Sequence, residues 1–381
     1  MKPIQMVDLK SQYEEIQEEI QKSLHNVLEE TAFINGPQVR EFAVSLGEYL
    51  QADHVIPCAN GTDALQIALM ALELEEGTEV LIPSFNYVAL AEVTALLKLK
   101  PVFVEVDPVY YTIDPSDIEH RIGPRTRVIA PVHLFGHCAP MEEIMAIANQ
   151  YNLFVIEDNA QAIGANYTFS DGTTKKAGTI GHIGTTSFFP SKNLGCYGDG
   201  GAIFTNDLEL GQRIKMIANH GQKVKYIHDV VGVNSRLDTM QAAILNVKIK
   251  HLDRYNEERN RVAQFYNKSF EELSDFITTP QTADYSTHVF HQYTMILKNI
   301  DREAFRNYLA SKQIPTMVYY PYPIHQQKAY AQNISLPISE FLAANVVALP
   351  ISPNMQAEQL NYIVNSVSGY IQSEMLQTNP S

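Results

Sequence analysis

The chain has 381 residues, more than one hydrophobic core can keep serving, so a large domain with a smaller companion is the expected division. It is 45% hydrophobic and 19% charged with a formal net charge of −15, which suits a packed protein and works against binding to nucleic acid or an anionic membrane surface. No stretch is apolar for long enough to span a bilayer, and the opening MKPIQMVDLKSQYEEIQEEI holds no signal-peptide core; Cys58, Cys138 and Cys196 are too few and too scattered for a disulfide framework or a zinc site, so the cytoplasm is the expected compartment.

In chain order, a strand candidate first runs into Asn60-Gly61-Thr62, and the helix pattern TDALQIALMALEL starts at once. Unpaired N–H groups and the positive end of the macrodipole make such a turn an anion site, and Thr62 adds a hydroxyl, although most Gly-Thr helix starts are ordinary caps. EVLIPSF (79–85), PVFVEV (101–106), RVIAPVHL (127–134) and LFVIED (153–158) are nearly all apolar, as strands buried on both faces must be. YVALAEVTALLKL and MEEIMAIANQY, with apolar residues at helical spacing, lie between them. This alternation predicts βαβ units and a mostly parallel sheet. TTSFF (185–189) and GGAIFT (200–205) flank a Gly-rich turn and are placed to pair as neighbours.

From residue 236 the pattern turns helical. After Pro280, HVFHQYTMIL reads as a strand, DREAFRNYLASKQ as a helix, and VYYPYPIHQQ as a Pro/Tyr-rich segment, which together predict a smaller α/β domain. The expected division is a large domain over 1–251, with an N-terminal helical segment, and a smaller C-terminal domain over 252–381, and the polar tail LQTNPS is expected to fray.

Four segments carry candidate chemistry. The anion turn at Gly61 is one. Glu157-Asp158-Asn159-Ala160-Gln161 ends a parallel strand, where a carboxylate faces the ligand crevice, though a plain turn or cap reading also fits. Such a carboxylate beside a pyridine nitrogen keeps the ring protonated and an electron sink. Lys192, in SFFPSKNLGCYGDGGAI, sits on a loop whose glycines allow close backbone approach to a ligand. A desolvated lysine there becomes a nucleophile for Schiff-base chemistry; the competing reading is a solvated loop lysine. Arg236, in GVNSRLD, is either a surface charge or a bidentate clamp for a carboxylate or phosphate.

Together and in this order, from QMVDLKSQY to the LP of VVALPISPN, these motifs resemble the DegT/DnrJ/EryC1/StrS sugar aminotransferases, a branch of the fold-type I pyridoxal-phosphate enzymes. SFFPSKNLGCYGDGGAIFTND followed by GVNSRLDTMQAAIL is the specific part. The resemblance implies an α/β fold: a large domain with a mostly parallel seven-stranded sheet flanked by helices, and a smaller C-terminal α/β domain. It implies pyridoxal 5'-phosphate as cofactor, passing through pyridoxamine 5'-phosphate, with Lys192 joined to the cofactor aldehyde and Asp158 on the pyridine nitrogen. It also implies Gln161 near the ring hydroxyl, Tyr87 stacked on the ring, and Gly61, Thr62 and Ser187 on the phosphate. Asn234 matches a residue that reaches the phosphate of the other subunit, which implies a homodimer with shared active sites.

The same resemblance implies amino transfer from glutamate, giving 2-oxoglutarate, to a keto group of a nucleotide-linked sugar. It looks most like the members acting at carbon 3 of UDP-2-acetamido-2-deoxy-3-oxo-glucuronate for surface polysaccharides such as lipopolysaccharide O-antigen, with Arg236 on the sugar carboxylate. A dTDP-3-keto-6-deoxyhexose and a 4-keto-6-deoxy sugar are the runners-up. Tyr319, Tyr320 and His325 are candidate sugar contacts. The chain departs from the family in having Asn86 where Thr is usual, Leu90 where a small hydroxyl residue is usual, and Tyr319-Tyr320 where close relatives often have His-Tyr. Dehydratase members have His in place of Lys192, which argues against that chemistry; a non-catalytic regulatory protein on this fold is the rival of another class. His133 and His137 in HLFGH have no nearby carboxylate or thiol in the sequence to complete a metal set, and no metal is assigned.

Overall fold

The structure, a computed structural model, describes residues 1–378; the end of the tail expected to fray lies outside the described residues. Three helices open the chain ahead of the alternation: α1 (Leu9–Glu15), α2 (Gln17–Glu30) and α3 (Pro37–Leu50). Asp8 caps α1 by accepting from Ser11 N at 2.9 Å, and Pro37 starts α3, where its missing N–H leaves nothing unsatisfied.

The alternation then appears as expected: β1 (His54–Cys58), α4 (Gly61–Ala71), β2 (Glu79–Pro83), α5 (Ala89–Leu96), β3 (Lys100–Val104), α6 (Pro115–Arg121), β4 (Thr126–Ile129), α7 (Met141–Tyr151) and β5 (Phe154–Asp158). A small hairpin, β6 (Asn166–Thr168) with β7 (Thr174–Lys176), precedes β8 (Ile183–Ser187) and β9 (Gly201–Thr205). Seven of these strands form one sheet in the order β1-β9-β8-β5-β4-β2-β3. Only β9 is antiparallel, pairing β1 on one side and β8 on the other, with Ser187 opposite Gly201. Val80, Leu81, Ile82, Val155 and Ile156 are fully buried, which explains why their strands read as unbroken apolar runs. The carboxyl ends of β1, β2, β4, β5 and β8 therefore open on one edge, beside the start of β9.

Two strand ends differ from their sequence pattern for physical reasons. β8 stops at Ser187 because Phe188 turns into the core, edge-on to Phe42 at 5.2 Å between ring centroids, while Phe189 turns outward. Of HVFHQYTMIL only the second half is strand, because the first half docks on the large sheet's loops, with Val289 N donating to Gly136 O at 2.9 Å.

After β9 come α8 (Leu208–Ala218), the hairpin β10 (Gln222–Val224) and β11 (Ile227–His228), α9 (Thr239–Lys248) and α10 (Leu252–Ser269). The remainder is β12 (Ile277–Thr278), β13 (Tyr293–Leu297), α11 (Arg302–Ser311), α12 (Pro337–Asn345), β14 (Val346–Leu349) and α13 (Ala357–Thr378). The antiparallel sheet β12-β13-β14 has its own core, in which Val262, Tyr266, Met295, Phe305 and Ile363 meet; Ile4 joins it from the other end of the chain.

Candidate active site

A cleft of about 530 Å³ opens at the carboxyl edge of the large sheet. Each wall comes from one strand end: Asn60, Gly61 and Thr62 after β1, Asn86 and Tyr87 after β2, Asp158 closing β5, Ser187 closing β8, and Lys192 on the loop that leads to β9. Ligands of parallel α/β sheets bind at this edge, because the loops there are free to vary while the strands hold them rigidly.

Lys192 is the only cationic side chain among the described residues lining the cleft. Loss of hydration holds its ammonium at about 8 against the ordinary 10.5, and the carboxylate of Asp158 pulls the other way. Asp158 is itself raised by burial, opposed by the Ala160 N–H, by Lys192 and by His133. Its backbone is pinned between β4 and the following loop, by Asp158 N to Pro131 O at 2.9 Å and His133 N to Asp158 O at 3.1 Å. One carboxylate oxygen accepts from Ala160 N at 3.0 Å, and the other takes no hydrogen bond from any described residue. Gln161 is oriented at both ends of its amide: Oε1 accepts from Phe135 N at 2.7 Å and Nε2 donates to the Tyr320 hydroxyl at 3.1 Å. Phe135 adopts a left-handed φ of 58° to offer that N–H, local strain at a site held by its surroundings.

At the opposite end, Asn60 caps α4 by accepting from Asp63 N at 2.8 Å, and the N–H groups of Gly61 and Thr62 donate to no described residue. A Cβ on Gly61 would meet the Ser187 Cβ at 2.7 Å, so only glycine lets the β8 end and the α4 start close into one corner. Two free N–H groups, the positive end of α4 and the Thr62 and Ser187 hydroxyls make this corner an anion cradle. Tyr87 is 55% exposed, tilted against Tyr320 with ring centroids 6.0 Å apart.

The description "DegT/DnrJ/EryC1/StrS aminotransferase family" matches residues 14–368. The chain belongs to this family. Among its relatives, a UDP-2-acetamido-2-deoxy-3-oxo-D-glucuronate aminotransferase of Pseudomonas aeruginosa is 44% identical, over 94% of this chain and 98% of that protein. A protein of Geobacillus stearothermophilus named "Pleiotropic regulatory protein" is also 44% identical, over 96% and 98%. A dTDP-3-amino-3,6-dideoxy-alpha-D-galactopyranose transaminase of Aneurinibacillus thermoaerophilus is 42% identical, over 96% and 99%. The solved structure of ntda from Bacillus subtilis with bound cofactor PMP superposes with a TM-score of 0.87 at 32% identity, covering 94% of this chain and 82% of that one.

For a DegT/DnrJ/EryC1/StrS aminotransferase, the cleft gathers Gly61, Thr62, Tyr87, Asp158, Gln161, Ser187, Lys192, Tyr319 and Tyr320 of the residues singled out in the sequence. Asn234 and Arg236 do not line it: Asn234 is exposed, and Arg236 is half-buried with no ion pair among the described residues, on the strand-like loop where Ser235 Oγ accepts from Ala59 N at 3.0 Å. His325 is a correction. Its ring is buried, with Nδ1 2.7 Å from Ser84 Oγ and Nε2 3.2 Å from Glu340 Oε1, so both nitrogens are spent on structure away from the cleft. The HLFGH histidines also differ from their reading. His133 does have a carboxylate beside it: Nδ1 accepts from Ala139 N at 3.0 Å, so Nε2 carries the proton and donates to Glu157 Oε2 at 2.8 Å. His137 accepts from Ala283 N at 3.0 Å, and among the described residues no cluster of three His, Cys, Asp or Glu is placed to hold a metal.

Sequence reasoning missed His291 and Gln292, which line the cleft from the small-sheet side, and saw in Asn86 only a departure. Asn86 is 4% exposed, and its amide has no hydrogen-bond partner among the described residues. Leu90, the other departure, is buried and does not line the cleft.

Proposed function

We propose that the chain moves an amino group from glutamate to the keto carbon of a nucleotide-linked sugar, using pyridoxal 5'-phosphate. The observation that carries this reading is the pairing of Lys192, an amine whose hold on its proton burial weakens, with Asp158, a buried carboxylate with one oxygen uncommitted, in a cleft with an anion cradle at one end. The residues fit the cofactor: the Gly61–Ser187 corner for its phosphate, Tyr87 for its ring face, Asp158 for its ring nitrogen, Gln161 for its ring hydroxyl and Lys192 for its aldehyde. When bound, this group supplies an electron sink for breaking a bond at the amine-bearing carbon. Lys192, once displaced, is the base that takes the proton and the acid that returns it, which a value of about 8 allows near neutral pH. Asp158 keeps the positive charge opposite in place throughout.

The substrate that fits best is UDP-2-acetamido-2-deoxy-3-oxo-glucuronate, aminated at carbon 3 on the way to surface polysaccharides such as O-antigen, with dTDP-linked 3-keto-6-deoxyhexoses and 4-keto-6-deoxy sugars as alternatives. Two features support it: the Pseudomonas relative, and Arg236, an unpaired guanidinium suited to clamping the uronate. Because Asn234 and Arg236 lie outside their own cleft, they serve the cleft of a second copy in a homodimer. A phosphate in the cradle receives only neutral donors from its own chain, so a partner's side chains complete it. The free, buried thiols of Cys58, Cys138 and Cys196 suit the reducing cytoplasm, and no helix among the described residues is long and apolar enough to cross a membrane.

Glutamate added to the reconstituted protein should convert the cofactor's absorbance to that of its amine form, and a UDP-linked 3-keto uronate should restore it. Arg236→Ala should weaken turnover of the uronate by about tenfold or more and spare a neutral 3-keto sugar. An absorbance that no amino acid changes would favour the second reading, a regulatory protein, for which the Geobacillus relative's name speaks.

A further inference from the structure

The proposed reaction needs a place for the amino donor besides the anion cradle, which the cofactor phosphate takes in that reading. A second cavity, of about 280 Å³, adjoins the cleft through Ser191, His291, Gln292 and Tyr319, which line both. Its outer wall is the segment Gln5-Met6-Val7, tied down where Met6 O accepts from Ile351 N at 3.1 Å and where Ile4 enters the core of the small sheet. The cavity is too small for a nucleotide sugar and of a size for an amino-acid side chain.

Its polar lining is incomplete. His291 Nδ1 and Gln292 Oε1 are buried without a hydrogen-bond partner, an arrangement that costs about 1–3 kcal/mol per group; a ligand carboxylate can accept from His291 as its Nδ1–H tautomer, and from Gln292 once the amide is turned end for end. Behind the same wall lies Arg259, 2% exposed, whose Nη1 donates to the carbonyls of Phe290, His291 and Ile351 at 3.3 Å each while its Nε has no partner. Burial lowers it only to about 10, so it remains a cation, and no carboxylate offsets it among the described residues. A buried cation without a counter-ion is among the costlier arrangements a fold carries. Burial, with the charges of Lys192 and Arg259, holds the His291 imidazole well below its ordinary value, hence neutral. The Gln292 NH₂ donates to the Tyr319 phenol oxygen; turned end for end, the amide would accept from that hydroxyl instead and offer its NH₂ to a ligand.

We propose that this side cavity is the amino-donor subsite and that it takes the distal carboxylate of a dicarboxylic amino acid, with His291 and Gln292 as the contacts and Arg259 as the compensating charge. The proposal rests on the aminotransferase reading. It places the donor's α-amino group toward Lys192 and its far carboxylate behind the lysine, leaving the cradle side of the cleft to the cofactor phosphate and the nucleotide sugar.

The test is equilibrium binding to the cofactor-loaded protein, followed by absorbance, with α-methylglutamate, α-methylglutamine and α-methylalanine, which lack the proton whose removal would start turnover. Wild type should bind α-methylglutamate about tenfold more tightly than the isosteric, uncharged α-methylglutamine. Gln292→Leu and His291→Phe should each weaken α-methylglutamate by about tenfold and leave α-methylalanine, which has no distal group, within about twofold. Equal binding of the acid and the amide by wild type, or losses shared by α-methylalanine, would overturn the subsite while the absorbance response itself survives. A wild-type protein whose absorbance none of the three changes would instead remove the aminotransferase reading, and this proposal with it.

Discussion

Lys192 and Lys248 flank the same glycine-rich loop, and burial holds both at about 8. Lys248 donates from Nζ to the carbonyl of Gly195 and lies 5.3 Å above the Tyr197 ring, so a cation that makes no ion pair among the described residues braces the loop that carries Lys192. For a lysine whose folded value is below its ordinary 10.5, the unfolded chain binds more protons between the two values, and stability rises with pH across that window. The cofactor-free protein should therefore gain resistance to urea from pH 8 to about 9.5, and Lys248→Met should show a smaller gain. Identical slopes in the two proteins would mean that Lys248 keeps its ordinary proton affinity. The buried thiols of Cys58, Cys138 and Cys196, which burial raises, oppose the trend within this window as the unfolded thiols ionise, and above pH 10 the buried phenols of Tyr266 and Tyr293 do the same, so the reading is the difference between the two proteins below that point. Asp158 acts on Lys192 in the opposite sense to burial. Asp158→Asn should lower the Lys192 value further, read as faster labelling of that amine at pH 7 in the cofactor-free protein, and should slow the glutamate half-reaction by about a hundredfold or more.

At the scale of elements, the end of β5 is held by Glu157 on the face opposite Asp158. Its buried carboxylate accepts from Gly178 N at 2.8 Å, from Ile180 N at 2.6 Å, from Gly181 N and from His133 Nε2, pinning the turn before β8 and the loop after β4 to one strand end. Glu157→Gln would keep the shape but aim an NH₂ at N–H donors, and should cost about 3–5 kcal/mol in urea unfolding. A loss below about 1 kcal/mol would mean that the carboxylate's charge is not what holds the turn. Gly61→Ala tests the opposite corner: its methyl would meet Ser187 at 2.7 Å, and cofactor affinity should fall about tenfold or more, measured by titration, with a smaller effect on folding. These elements differ in how legible they are. Strands β2, β3, β4 and β5 announce themselves because their buried stretches are apolar runs, with the exposed Lys100 and Arg127 confined to the starts of β3 and β4, and Lys192, Asp158 and Gly61 stand in short motifs at strand ends. Helix α2 buries only a narrow stripe, Ile20 and Val27, under a polar surface and gives no such signal. His291 and Gln292 reach the cleft because HVFHQ docks on the loop after β4, a tertiary contact that no local pattern encodes. His325 misleads for the same reason, since only the fold shows that Ser84 and Glu340 claim its ring.

At the scale of the whole molecule, the hairpin β10–β11 and the loop after it hold Val224, Tyr226, Ile227 and Val231 at 58%, 80%, 57% and 85% exposure. A cluster of large apolar side chains so open to water marks a surface that another protein covers. The chain continues from this cluster directly into Asn234 and Arg236, which do not line their own cleft, while that cleft has an anion cradle with no cation beyond Lys192 among the described residues. The proposed two-fold dimer would join these observations, because an isologous contact would deliver the same loop of each copy to the other's cleft. The consequence is open to a mixing experiment. Lys192→Ala and Asn234→Ala should each be nearly inactive alone. Unfolded together and refolded at equal amounts, half the dimers should be mixed; in each, one cleft carries both defects and the other neither, so about a quarter of wild-type activity should return. If Asn234 instead served its own cleft, every cleft in the mixture would keep one defect and no activity would reappear. Replacing Tyr226 and Ile227 with Ser should lower the activity of the wild-type chain on dilution, in step with a change from dimer to monomer in sedimentation, since the cradle then loses the side chains that complete it.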